Sequence, residues 1–258
     1  DDLETPGDLA EKARRSRLAR LLNENIPFNA RVLEVGCGTG QLTNYLSLAQ
    51  RFVFGVDMSF NSLKLAEDFK EKFELSRAGF YQMNLFKPIF KPESFDMVIC
   101  NGVLHHTTDP LGGFKAISRL VKKNGLIVIG LYNTYGRVMT DMRRAIFKLT
   151  GDKLVFLDPY IREGVSGAKR TAWFLDQYKN THESKHTIGE VLGWFDEAGF
   201  DFVYGMPYPK PFEVSLPEDT LLLPRDPGNR LDHAIVQLKH IMTGSREGGF
   251  FVMIGKKR

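Results

Sequence analysis

Apolar positions change their period along this chain, and the changes lay out its elements. From Asp8 to Asn23 they fall at 9, 10, 13, 18, 21 and 22 among many Arg and Lys, the spacing of an amphipathic helix. Residues 31–35 form a short apolar strand, and 41–49 return to helical spacing. A second strand is expected at 52–56 and a helix over 62–73, with Leu63, Ala66 and Phe69 three apart. Strands at 80–83 and 97–100, a helix at 110–120 ended by Lys123-Asn124-Gly125, and a strand at 126–131 continue the alternation. The last of these is apolar almost throughout, as in strands covered on both faces. Such regular alternation predicts an α/β fold with a doubly wound, mostly parallel sheet.

The second half breaks the rhythm. Residues 132–185 are too long for a plain crossover and read as an inserted helical or lid segment. Thr187, with Glu190 three residues on, forms a capping box for a helix over 188–198, and Gly199 stops it. A strand at 201–204, a proline-rich loop over 206–228, an amphipathic helix at 229–242 and a strand at 249–255 follow. The whole of 1–258 is thus expected to be one decorated domain, with a helical cover at 1–25 and insertions at 132–187 and 206–247.

Candidate chemistry starts where the first strand ends. Gly36, Gly38 and Gly40 stand at alternate positions between a strand and a helix, where missing Cβ atoms let a ligand approach the backbone. Glu34 and Cys37 belong to the same turn. A dinucleotide fingerprint would need glycine at 41, where the chain has Gln41. Asp57 ends the second strand, where a carboxylate either caps a helix or takes the ribose hydroxyls of an adenosine; its distance from the glycine turn favours the ribose.

Three blocks in order, Glu34 to Gly40, Gly55-Val56-Asp57-Met58-Ser59, and Phe95 to His106, resemble the class I S-adenosylmethionine-dependent methyltransferases. The likeness covers roughly residues 30–130 and the final strands. It implies a seven-stranded Rossmann-like sheet closed by an antiparallel hairpin of 201–205 and 249–255. The cofactor would be S-adenosylmethionine, leaving S-adenosylhomocysteine as product. Implied cofactor contacts are Glu34, Gly36, Cys37, Gly38, Gly40, Asp57, Met58, Asn84, Leu85, Asn101, Gly102 and Val103. Asn84 stands where the family often has Asp, and its amide oxygen can accept the same bond or shape a turn.

Histidine has a reference pKa near 6.5, suited to taking a proton from an acceptor. His106, in the loop that the resemblance sets against the transferred methyl, is the first candidate base; His182 and His186 are others. Adjacent His105 and His106 point in different directions and lack a third ligand at metal spacing, so no metal is expected. Tyr132, Asn133, Tyr135 and Arg137 follow the fifth strand at the carboxyl edge, and with Tyr178 and Glu183 they form the expected acceptor wall.

Composition narrows the partners. A net charge of +4, from 35 basic and 31 acidic residues, is too small an excess to imply nucleic acid. The two cysteines lack ligand spacing, there is no run of membrane-spanning length and no signal segment, so a reduced, cytoplasmic protein is expected, as monomer or homodimer. A small-molecule acceptor is the expected partner. An RNA- or protein-modifying methyltransferase, a non-catalytic cofactor-binding subunit and, further off, a nicotinamide-dependent dehydrogenase are the alternatives.

Overall fold

The computed structural model describes residues 5–162, 167–179, 183–211, 223–243 and 249–258. The amphipathic stretch at the start is two helices, α1 (Pro6–Arg15) and α2 (Arg17–Asn25). Thr5 opens α1 with a capping box, its hydroxyl accepting from the Asp8 amide while the Asp8 carboxylate accepts from Thr5 N. Ser16 breaks the run: its backbone is extended and its hydroxyl accepts from the Ala19 amide, so it ends one helix and caps the next.

Beyond them run β1 (Arg31–Val35), α3 (Gln41–Ser47), β2 (Phe52–Asp57), α4 (Phe60–Lys72), β3 (Ala78–Gln82), β4 (Phe95–Asn101), α5 (Pro110–Ser118) and β5 (Val121–Tyr132). The insertion holds α6 (Val138–Thr150), α7 (Pro159–Arg162), α8 (Gly167–Phe174) and a π-helical turn at Leu175–Lys179. The chain closes with α9 (Ile188–Glu197), β6 (Phe200–Met206), α10 (Arg230–Thr243) and β7 (Phe250–Lys257). The sheet order is β3-β2-β1-β4-β5-β7-β6. Pairs from β3 through β5 are parallel, and β7 runs antiparallel to both β5 and β6.

Period-two alternation divides the core. Leu33 and Val35, Val98 and Cys100, and Ile127, Ile129 and Leu131 face one side, with Phe114, Trp194 and Phe195 from α5 and α9. Val32, Met97, Ile99 and Val128 face the other, with Leu9, Leu21, Leu22 and Leu46 from α1, α2 and α3. Glu34, two residues from Val32, therefore projects toward the α3 side.

β5 begins earlier than its apolar run. Val121 pairs with Phe95 and the register then slips before Met97 pairs with Leu126, with Asn124 at φ 62° in the extra length. Asp96 anchors this bulge, accepting from Lys122 Nζ at 2.7 Å and from the Arg31 amide at 2.8 Å. Lys123-Asn124-Gly125 thus lie within the entry to a strand instead of ending a helix. Residues 212–222 of the proline-rich stretch lie outside the described residues.

Candidate active site

β1 and β4 are neighbours whose following connections leave in opposite directions, which opens a crevice at their carboxyl ends. The glycine turn fills its edge. The Gly36 and Cys37 amides both donate to the Val56 carbonyl, at 2.7 and 3.0 Å, and Gly38 N donates to Asp57 Oδ2 at 2.9 Å. Asp57 Oδ1 accepts from Ser59 N at 2.8 Å, so one carboxylate ties the turn to the end of β2. Gly36 has φ +76°, and a Cβ there would lie 2.2 Å from Val103 Cγ2. Gly38, at φ +52°, faces open space, where a ligand can reach its backbone.

Two cavities meet at Gly36. The larger, about 470 Å³, is lined by Lys12, Ser16, Glu34, Cys37, Gly38 and Asn101 among others. The smaller, about 330 Å³, lies between Asp57 and Met58 on one side and Met83, Leu85, Gly102, Val103 and His106 on the other. Two cavities that share Gly36 in their linings, one bordered by the Glu34 carboxylate and the other by Met83, Leu85 and Val103, suit a cofactor with an aminoacyl arm and a nucleoside.

Glu34 is 8% exposed and receives the Thr43 hydroxyl, Oγ1 to Oε2 2.5 Å. Burial raises its carboxyl to about 7; the Thr43 hydrogen bonds pull the other way, and the Asp57 charge adds to the rise. Burial likewise pushes the Cys100 thiol up to about 12 and raises Cys37 further, so neither is a nucleophile at neutral pH.

The histidine pair divides by burial. His106 lines the smaller cavity, on a 3₁₀ turn at Leu104–His106. His105 is 1% exposed, with its ring 4.1 Å from that of His106 and 4.3 Å from that of Tyr132. Burial drives His105 down to about 2, helped by His106, Arg137 and His186, so its imidazole is neutral.

Most of the expected acceptor wall is tied up in a layer behind this pair. Arg137 is buried, with its guanidinium 4.0 Å over the Tyr132 ring and paired with Glu183 and Gln177. Gln177 Nε2 donates to the Tyr132 hydroxyl at 2.9 Å. Asn133 Oδ1 accepts from the amides of Tyr135 and Gly136, which turns the chain into α6. Tyr178 donates to Asp158 at 2.5 Å, among Phe147 and Phe174. His186 bridges Ser184 Oγ at 2.8 Å and Glu190 at 2.7 Å, packed on Trp194. None of these side chains, nor half-exposed Tyr135, lines either cavity. Asn84 uses its side-chain oxygen on the Phe86 amide at 2.9 Å and leaves the slot to Met83 and Leu85. His182 lies outside the described residues.

Lys12, Ser16, Thr43 and Met83 are site residues that motif reading passed over. The only signal was the 1–25 helix, and which of its faces meets the turn is decided by packing. Among the described residues no cluster of three His, Cys, Asp or Glu could hold a metal, and no helix is long and apolar enough to cross a membrane.

The sheet order and the cleft at its switch point define a Rossmann-like protein of the nucleotide-cofactor class. A family model described as a methyltransferase domain matches residues 28–198, and the chain belongs to this family of class I S-adenosylmethionine-dependent methyltransferases. An uncharacterised protein of Synechococcus sp. is 32% identical over 67% of this chain and 48% of its own length. A ubiquinone biosynthesis O-methyltransferase of Haemophilus ducreyi is 30% identical over 67% of this chain and 66% of its own. The chain thus spans about half to two thirds of these relatives. In fold it is similar to PKMT2 from Rickettsia typhi in complex with AdoHcy, with a TM-score of 0.64 at 14% identity, covering 95% of this chain and 55% of that one.

Proposed function

We propose that this methyltransferase passes the methyl group of S-adenosylmethionine to an O, N or C atom of a small molecule by in-line displacement, and releases S-adenosylhomocysteine. The observation that carries the reading is the pair of cavities that share Gly36 in their linings, one reaching Glu34 and the other running between Asp57 and Leu85. When bound, the cofactor supplies an electrophilic methyl on a sulfonium.

The chain's own residues have modest tasks. Asp57 keeps free lone pairs for the ribose hydroxyls while it holds the turn through two amides. Met83, Leu85 and Val103, which line the smaller cavity, would flank the base, and Asn101, which lines the larger, would border the methionine arm. An acceptor must be held in line and kept from water. His106, bordering the slot, takes the proton of an acceptor hydroxyl or amine; His105, held neutral far below its usual range, cannot. The similarity to an O-methyltransferase favours a hydroxyl.

Calorimetric titration with S-adenosylhomocysteine, with NAD as a parallel ligand, tests the cofactor. One-site binding of the first alone is expected; binding of NAD alone would overturn the reading. With the acceptor in hand, His106→Ala is expected to lower turnover about 100-fold with S-adenosylhomocysteine affinity unchanged. Undiminished turnover would remove His106 as the base.

A further inference from the structure

Three successive residues that follow the inserted helices have three different anchors. Glu183 pairs with Arg137, Lys185 with Asp141, and Ser184 between them reaches back to the histidine turn at Leu104–His106. The Ser184 amide donates to the His105 carbonyl at 2.8 Å, and its hydroxyl lies 3.3 Å from the same oxygen. That carbonyl shares a planar peptide unit with the His106 amide, which donates to the Val103 carbonyl at 3.0 Å. Both polar edges of the unit are bonded, so the plane that carries the His106 Cα is fixed. The His105 ring adds no such anchor through Nδ1, which is buried and finds no hydrogen-bond partner among the described residues.

Ser184 is itself directed from α9. Its Oγ lies 2.8 Å from His186 Nε2, and His186 Nδ1 lies 2.7 Å from Oε1 of Glu190 in the first turn of that helix. A carboxylate can only accept, so it keeps a hydrogen on Nδ1. Nε2 then accepts from the Ser184 hydroxyl when the ring is neutral and donates to it when the ring is charged, and the contact survives in either form. The His186 backbone is held as well: its amide donates to the Tyr132 carbonyl at 2.9 Å, and its carbonyl accepts from the Thr134 amide at 3.0 Å. Serine, histidine and carboxylate in this order also activate nucleophiles. Here Ser184 lines neither cavity, and its amide is spent on His105 instead of being offered to an oxyanion, so the chain of bonds holds and does not attack.

We propose that Ser184 is a positioning residue for His106 and that His186 and Glu190 aim it. The three tie the start of α9 to the peptide unit from which His106 borders the slot. This rests on the reading of His106 as the base given above.

The test is NMR of histidine-labelled protein saturated with S-adenosylhomocysteine, reading nuclear Overhauser contacts between the His106 ring and the ligand, with calorimetry for affinity. Wild type is expected to show these contacts. Ser184→Ala should lose them with S-adenosylhomocysteine affinity unchanged, and so should His186→Phe, which keeps an aromatic ring against Trp194. Ser184→Thr retains the hydroxyl and should retain the contacts. Val191, buried in α9 but outside the bonded chain, is the control for loosened packing: Val191→Ala should lower the denaturation midpoint and leave the contacts in place. Contacts that persist in Ser184→Ala would overturn the proposal, and so would their loss in Val191→Ala, which would make any loosening of the helix sufficient. If wild type bound the ligand with no contact from His106, the base reading would fall, and the positioning role with it.

Discussion

Arg137 and Glu183, forty-six residues apart, meet as a two-pronged ion pair, Nε to Oε1 at 3.1 Å and Nη2 to Oε2 at 2.7 Å, with side chains 0% and 2% exposed. The pair joins the two ends of the insertion beneath Tyr132. Ser184 N, next along, donates to the His105 carbonyl at 2.8 Å, so the same segment also braces the histidine turn. Arg137→Met strands a buried carboxylate with, among the described residues, only the partly exposed Arg144, 3.3 Å away, to meet it, and is expected to cost about 3–5 kcal/mol. The double variant Arg137→Met, Glu183→Leu removes both charges and should cost less than the single one. Urea denaturation measures both; a double variant at least as unstable as the single would show that the charges are not the source.

Gly36 and Gly38 respond differently to a methyl group. Gly36→Ala meets both a left-handed backbone and Val103 at 2.2 Å, and should lose about 3 kcal/mol. Gly38→Ala meets only the backbone strain, about 1 kcal/mol, because its Cβ enters open space. Both should lose S-adenosylhomocysteine binding. Thermal melts and calorimetry separate the two effects, and normal ligand binding by Gly38→Ala would move the cofactor off this turn.

Glu34 makes stability depend on pH. Its folded-state carboxyl titrates near 7, above its ordinary 4.5, so between these values the folded chain holds a proton that the unfolded chain has lost. Stability therefore declines as pH rises through this window and levels off above it, by a limit of about 3 kcal/mol. Glu34→Gln keeps an acceptor for Thr43 and abolishes the decline, so it should match wild type near pH 4 and exceed it at pH 8. Parallel profiles of denaturation midpoint against pH would contradict the assignment.

Asp57 serves the turn and, in our reading, the ribose. Asp57→Ala frees the amides of Gly38 and Ser59, which can turn to water, and should cost about 1–2 kcal/mol of stability. Its larger effect should be a loss of at least about tenfold in S-adenosylhomocysteine affinity. Unchanged affinity would reduce Asp57 to a turn residue.

The strand–helix order, the glycine turn, Asp57 and the Asn101–His106 loop were legible in the chain because each depends on neighbours a few residues away. Alternation at Val32, Leu33, Glu34 and Val35 sorts side chains between two faces, and glycines mark where the backbone must turn. The capping box at Thr187 and Glu190 is likewise local, and it forms as its spacing implies. Where local signals compete, reading failed: the helix over 8–23 is divided because Ser16 bonds the Ala19 amide, and the entry to β5 is recruited early because Asp96 holds Lys122.

Tertiary structure decided everything that depends on a distant partner. Sequence could propose Tyr132, Asn133, Arg137, Tyr178, Glu183 and His186 as polar groups near a ligand edge, but not that internal partners such as Gln177, Asp158 and Glu190 take them up. A buried charge or hydroxyl must find a partner as the chain collapses, and the partners stand 20 to 46 residues away for Tyr178 and Arg137. His105 and His106 are adjacent and chemically identical in the sequence; burial alone separates a neutral packing ring from one that borders the cavity. Lys12 lines the cleft because Leu9, buried in one cluster with Leu46, seats its helix against α3. The sequence by itself determined the scaffold and the place of the cofactor turn, which short-range periodicity and backbone geometry encode; long-range packing decided which side chains reach the ligand and which hold the wall behind it.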